Sequence, residues 1–183
     1  ILMKRVLKNS LPTMTNEGFW ALATTMYVAA YARVGVTEYA SYQAGETIAR
    51  LFVMAAFSIG DAALILVGQK LGEKKLEEAY DLAKTIIRIT VLLGILFGAV
   101  LMVCAKPLIS LYNFTPLGRH IAFLILMVDA GTMVFYILNG VIISGILRSG
   151  GDTRFAMLLD CGTIWLIGVP LAFFSTGVLG LPI

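Results

Sequence analysis

The sequence predicts an all-α fold, a polytopic bundle of five membrane-spanning helices forming one membrane domain over residues 1–183. Three observations predict it. The 183-residue chain is 59% hydrophobic and only 14% charged, with a mean hydropathy of +0.90. An ordinary soluble domain is about 45–50% apolar and about 25% charged, so there is too little polar side chain here to cover a water-facing surface. Five apolar stretches reach the roughly 20 residues needed to cross about 30 Å of hydrocarbon. The connectors between them carry glycine, proline and charge, the residues that end helices.

Taken in order, helix one is expected from Leu11 to Ala32 and closes at Arg33-Val34-Gly35 with a C-cap glycine. Helix two is expected from Ala44 to Val67 and closes at Gly68-Gln69-Lys70-Leu71-Gly72. The segment from Lys74 to Ile87 reads as an amphipathic surface helix leading into helix three, Ile86 to Ala105. Lys106-Pro107 is expected to end helix three, and Pro116-Leu117-Gly118 to start the turn into helix four, Ile121 to Leu147. Gly150-Gly151-Asp152-Thr153 reads as a tight loop whose Asp or Thr caps helix five, Phe155 to Thr176. Pro170 lies inside helix five and is expected to kink it, which lipid tolerates where neighbours satisfy the freed carbonyl. Gly94 and Gly98 give helix three a small-xxx-small face suited to close packing.

Positive charge sets the expected orientation. Lys4, Arg5, Lys8, Lys70, Lys74, Lys75, Lys84, Arg88, Arg148 and Arg154 would share the cytoplasmic side, against Arg33, Lys106 and Arg119 on the other. That places the start of the chain in the cytoplasm and, with five spans, its end outside. The chain opens on Ile1 and closes on Leu181-Pro182-Ile183 after an apolar run. Both ends read as cut, so a piece of a longer chain is expected.

The informative residues are the polar ones inside these spans. Thr13, Glu17, Trp20, Thr24, Tyr27 and Tyr31 recur on one face of helix one. An acid in a greasy helix is expensive, and by default it is a functional candidate. Asp129, Thr132, Tyr136 and Asn139 form a similar stripe on helix four, and Glu17 and Asn139 are expected at similar depth, facing one cavity. Interhelical hydrogen bonding is the plainer account of the threonines and tyrosines. Glu17 fits it less well: a desolvated carboxylate that takes up and releases a proton or monovalent cation is what an ion-coupled carrier needs. On helix two, Glu46 and Arg50 sit at i, i+4 and are expected to form a structural ion pair. Asp61 on the same face either reaches the interface or serves function.

Other chemistries lack support. Net charge is only +3, and the one dense charge cluster, Lys70 to Lys84, mixes both signs, so no nucleic-acid partner is expected. Cys104 and Cys161 stand in apolar runs and read as small buried hydrophobes. His120 is the single histidine, and no nucleophile–base pair, metal cluster or dinucleotide fingerprint appears. No enzyme, cofactor or metal site is expected. The glycine-rich loop at Gly150 lacks the lysine and preceding strand of a phosphate-binding loop.

With these residues in hand, the chain resembles the multidrug and toxic compound extrusion (MATE) family. The stretch from Gly145 to Phe155, GILRSGGDTRF, followed by Leu158-Leu159-Asp160 and by Trp165 to Ala172, WLIGVPLA, is similar to that family's signature between its tenth and eleventh helices. Leu11-Pro12 with Asn16-Glu17 and Trp20 resembles the opening of helix seven. Val67 to Gly72 with Ala79 resembles the loop after helix eight. The resemblance implies helices seven to eleven of twelve: five helices of a six-helix transporter lobe, without the amino-terminal lobe and the last helix. It also implies antiport of cationic or amphipathic compounds against sodium ions or protons, in the plasma (inner) membrane of a bacterium. Some members pair an acid on helix seven with one on helix ten. Glu17 matches the first, whereas Ile137 and Asn139 stand near the second.

The expected binding residues are therefore Glu17, Asn16, Tyr136, Asn139 and Asp129. The expected partners are membrane lipids, small cationic substrates and the missing amino-terminal lobe, and the coupling ion is sodium or a proton. Two alternatives stay open. One is a non-transporting membrane scaffold or inert half-transporter. The other is a flippase for lipid-linked precursors.

Overall fold

The computed structural model describes residues 2–33 and 35–177. The readings made on Ile1, Val34 and Leu181-Pro182-Ile183 lie outside the described residues, as do the side chains of Lys4, Arg5 and Lys8. Among the described residues the fold is all-helical: α1 (Leu2–Tyr31), α2 (Val36–Gly72), α3 (Leu76–Ser110), α4 (Pro116–Gly140), α5 (Thr153–Thr163) and α6 (Val169–Gly177). A π-helix over Val141–Leu147 continues α4, and a second over Ile164–Gly168 joins α5 to α6.

Among the described residues, four helical stretches are long and apolar enough to cross a membrane: Glu38–Gly72, Leu76–Ser110, Pro116–Leu147 and Thr153–Gly177. The chain is an integral membrane protein. The helix counted first from sequence, in α1, is not among these four. Its polar residues, Thr13, Thr15, Asn16, Glu17, Thr24 and Thr25, crowd the segment that would have to cross.

Several expected boundaries move: α1 begins at Leu2 and not Leu11, α2 runs from Val36 to Gly72 and not from Ala44 to Val67, and α4 begins at Pro116 and not Ile121. Lys106-Pro107 does not end the third helix, because α3 runs on to Ser110 with Pro107 inside it. Proline removes one backbone donor, but the last turn survives: the Ser110 hydroxyl donates to the Pro107 carbonyl at 2.6 Å. The amphipathic stretch after Lys74 forms the first turns of α3 itself, with Ala79 and Ile86 buried and Glu77, Glu78 and Asp81 exposed. The turn before it holds Lys74 in the left-handed region at φ 60°.

The helix caps follow local chemistry. Pro116 occupies the first turn of α4, and the Thr115 hydroxyl accepts from the Gly118 amide at 3.1 Å. The Asp152 carboxylate accepts from the Phe155 amide at 3.2 Å and caps α5 after Gly151, which bends the loop at φ 81°. Pro170 stands in α6, just beyond the second π-helix, so the chain meets the missing donor by widening the turn.

The chain divides into two compact units. The larger spans Ala40–Gly150 and holds the main core, with Leu101, Ala105, Ala122, Leu126, Met133, Ile137 and Val141 all buried. Its tightest seam joins α3 to α4. A β-carbon on Gly94 would meet the Val134 α-carbon at 2.9 Å, and one on Gly98 would meet the Ala130 carbonyl oxygen at 2.6 Å. The small residues read from sequence therefore do bring two backbones together. The smaller unit combines Ile1–Tyr39 with Gly151–Ile183. There α1 packs along α5 and α6, burying Asn16, Ala23 and Ala30 on one face and Ala156, Val169 and Ala172 opposite.

Candidate polar site on the first and fifth helices

The face of α1 that meets α5 and α6 is not the stripe through Glu17. Asn16, Ala23 and Ala30, spaced by seven, form the buried face, while Glu17 and Trp20 are exposed beside it. One residue is about 100° on a helix, so adjacent positions separate into packed and accessible. The stripe's Thr24 does not bridge to another helix either: its hydroxyl donates to its own helix at the Trp20 carbonyl, 2.7 Å away. Thr132 on α4 does the same toward Val128 at 2.9 Å.

Asn16 is only 3% exposed, and both ends of its amide are bonded. Its Nδ2 donates to Asp160 Oδ2 at 3.0 Å, and its Oδ1 accepts from the Cys161 thiol at 3.1 Å. The chemistry fixes the orientation of the amide, since a carboxylate only accepts and a thiol is a donor. One carboxylate and one thiol thus meet at a single buried amide.

The surroundings hold this network in place. The Trp165 indole donates to the Phe19 carbonyl at 3.2 Å, and the two rings meet edge-on at 6.0 Å. Farther along, the Tyr27 hydroxyl rests against Gly168, where a larger residue has no room. Tyr27 stacks on Tyr31 at 6.0 Å, and Arg33 lies 5.1 Å over the Phe173 ring.

Asp160 and Cys161 are the residues that sequence reasoning missed as site members. Cys161 is half-buried and hydrogen-bonded, not a small buried hydrophobe, because its thiol is the donor that the Asn16 carbonyl group needs. Cys104 is also only half-buried. The available signal was Asp160 itself, an acid well inside a largely apolar helix.

The remaining site candidates lie in the larger unit. Glu46 and Arg50 approach to 3.6 Å, with Arg50 largely exposed. The Oδ2 atom of Asp129 is buried and has no hydrogen-bond partner. Tyr136 and Asn139 are exposed on α4, while Ile137 between them is buried in the core. Among the described residues no three His, Cys, Asp or Glu side chains come together as metal ligands.

A comparison with known protein families decides the lineage: the MatE family model matches residues 12–174. The chain belongs to the MatE family. This is a family of membrane transport proteins, not of enzymes. The chain is 27% identical over 176 residues to the multidrug resistance protein MdtK of Yersinia pseudotuberculosis serotype O:1b. It is 25% identical over 176 residues to MdtK of Photorhabdus laumondii. Each alignment covers 94% of this chain and 37% of the relative, so this MatE chain spans well under half the length of those proteins. No solved structure matches it significantly.

Proposed function

We propose that this MatE chain is the carboxy-terminal part of a secondary transporter that exports cationic or amphipathic small molecules in exchange for sodium ions or protons. The observation that carries the reading is Glu17, an exposed acid on α1 set beside the buried Asn16–Asp160–Cys161 network in a membrane protein. An acid within a membrane protein is costly to keep unless it binds something, and a cation that comes and goes is the simplest partner. The relatives' name, multidrug resistance protein, supports drugs as the exported class. On α4, the exposed Tyr136 ring and Asn139 with Asp129 supply polar and aromatic lining for a cationic compound.

In this reading α1 is a fifth span, with its start in the cytoplasm, and the membrane is the bacterial inner membrane. The ten basic residues on one side against three on the other favour that orientation. The first six helices of the family's pattern form the opposing lobe, so the chain is expected to export nothing by itself. The test is Glu17→Gln in the complete gene, expressed in drug-sensitive cells and followed by ethidium efflux. The variant is expected to reach the membrane in normal amount and to lose cation-driven efflux. Full efflux by this variant overturns the assignment.

A further inference from the structure

Resting on that reading, we infer that Asp61 on α2 is a substrate-binding carboxylate, and that the ligand it takes is the positive centre of an amphipathic organic cation. Asp61 is exposed inside the membrane-crossing stretch Glu38–Gly72. The next charged residue along α2 is Lys70, nine positions and roughly 13 Å further on. A short carboxylate does not reach the membrane surface over that distance, and an acid at such depth faces water or protein, not acyl chains. The two cations of α2 are already matched. Arg50 pairs with Glu46 at 3.6 Å, and Lys70 pairs with Glu78 at 2.7 Å.

Packing decides where Asp61 opens. Within the larger unit, α2 and α4 lie side by side and run in the same direction. A β-carbon on Gly45 would meet the Ile125 side chain at 3.3 Å, one on Gly140 would meet the Phe57 ring at 3.2 Å, and one on Gly60 would meet the Val141 α-carbon at 3.7 Å. On one side this pair is covered by α3: the Phe52 and Phe97 rings meet at 6.2 Å, and Gly98 closes on Ala130. Asp61 follows Phe52 by nine positions, and Asn139 follows Ala130 by nine. At about 100° per residue, nine positions lead to the opposite side of a helix. Both residues therefore open on the side of the α2–α4 pair that α3 leaves uncovered. Phe57 stands one turn before Asp61, Tyr136 stands one turn before Asn139, and all four are exposed. Because Phe57 is level with Gly140, Asp61 lies about one turn further along this groove than Asn139. One acid, one amide and two aromatic rings in a row match a flat organic cation. The carboxylate balances its charge, and the rings offer their faces to its body.

The test is equilibrium binding of ethidium to the complete protein, purified in detergent. Asp61→Asn is isosteric at an exposed position, so the fold is not at stake. This variant is expected to bind ethidium about tenfold more weakly, the size of one partly desolvated charge pair, at an unchanged melting temperature. Asp61→Glu keeps the charge and is expected to bind within about threefold of wild type. Wild-type affinity in Asp61→Asn overturns the inference. So does a fall in melting temperature with affinity intact, because Asp61 would then hold another part of the transporter and not the substrate. Either result leaves Glu17-dependent efflux standing. A wild-type protein that binds no ethidium overturns the broader reading instead.

Discussion

The amide of Asn16 and the carboxylate of Asp160 are joined at 3.0 Å across two helices whose residues stand 144 positions apart in the chain. With the Cys161–Asn16 and Trp165–Phe19 hydrogen bonds, this bond fixes the register of α1 against the helix that follows Asp152. Breaking it has a measurable cost. A hydrogen bond to a charged group contributes roughly 1.5–3 kcal/mol, and a buried group left unsatisfied costs on the order of 1–3 kcal/mol. Asn16→Leu is therefore expected to lower stability by about 2 kcal/mol. Thermal unfolding in detergent measures it. The same variant strips the thiol of its acceptor, so maleimide labelling of Cys161 should accelerate.

Asp129 is expected to behave in the opposite way. Its Oδ2 is buried without a partner, so the native side chain carries an uncompensated penalty. Asp129→Leu removes that penalty and is expected to leave stability unchanged or raise it by about 1–3 kcal/mol. Efflux measured on the same variant reports whether the penalty is retained for transport. A gain in melting temperature with a loss of efflux is the expected combination.

The α3–α4 seam allows no side chain at Gly98. The obstacle to a β-carbon is the Ala130 carbonyl oxygen, part of the backbone, so no rotamer change relieves it. Overpacking in a well-packed core costs about 1–3 kcal/mol, and Gly98→Leu is expected at or above that range. Gly131 is the control, because a β-carbon there would meet nothing within 4 Å. Gly131→Ala is expected to be neutral or to stabilise by up to about 1 kcal/mol through helix propensity. Detergent size-exclusion profiles and melting curves of both variants check the contrast.

Capping gives a smaller and local effect. Asp152 satisfies the Phe155 amide at the start of α5, and losing such a cap costs about 0.5–2 kcal/mol. Asp152→Ala should lower the melting temperature modestly, while Asp152→Asn or Asp152→Ser retains most of it.

The sequence by itself determined the solvent. An excess of apolar residues in helix-length runs has one physical outcome, because backbone polar groups in lipid must be satisfied within the helix. It also determined the cap at Asp152, the close contact at Gly94 and Gly98, and the lineage, since those features depend on neighbours within a few residues or on a local motif. The rotational setting of each helix was decided only by tertiary structure. Period-3.6 spacing names the residues that share a face, but not which face another helix will cover. Glu17 was legible as costly, whereas the buried position fell to Asn16, one residue away. Asp160 and Cys161 gained their roles only when packing brought α5 against α1. A hydrogen bond between residues so distant in the chain leaves no periodic trace in the sequence, because its geometry exists only after the helices have docked.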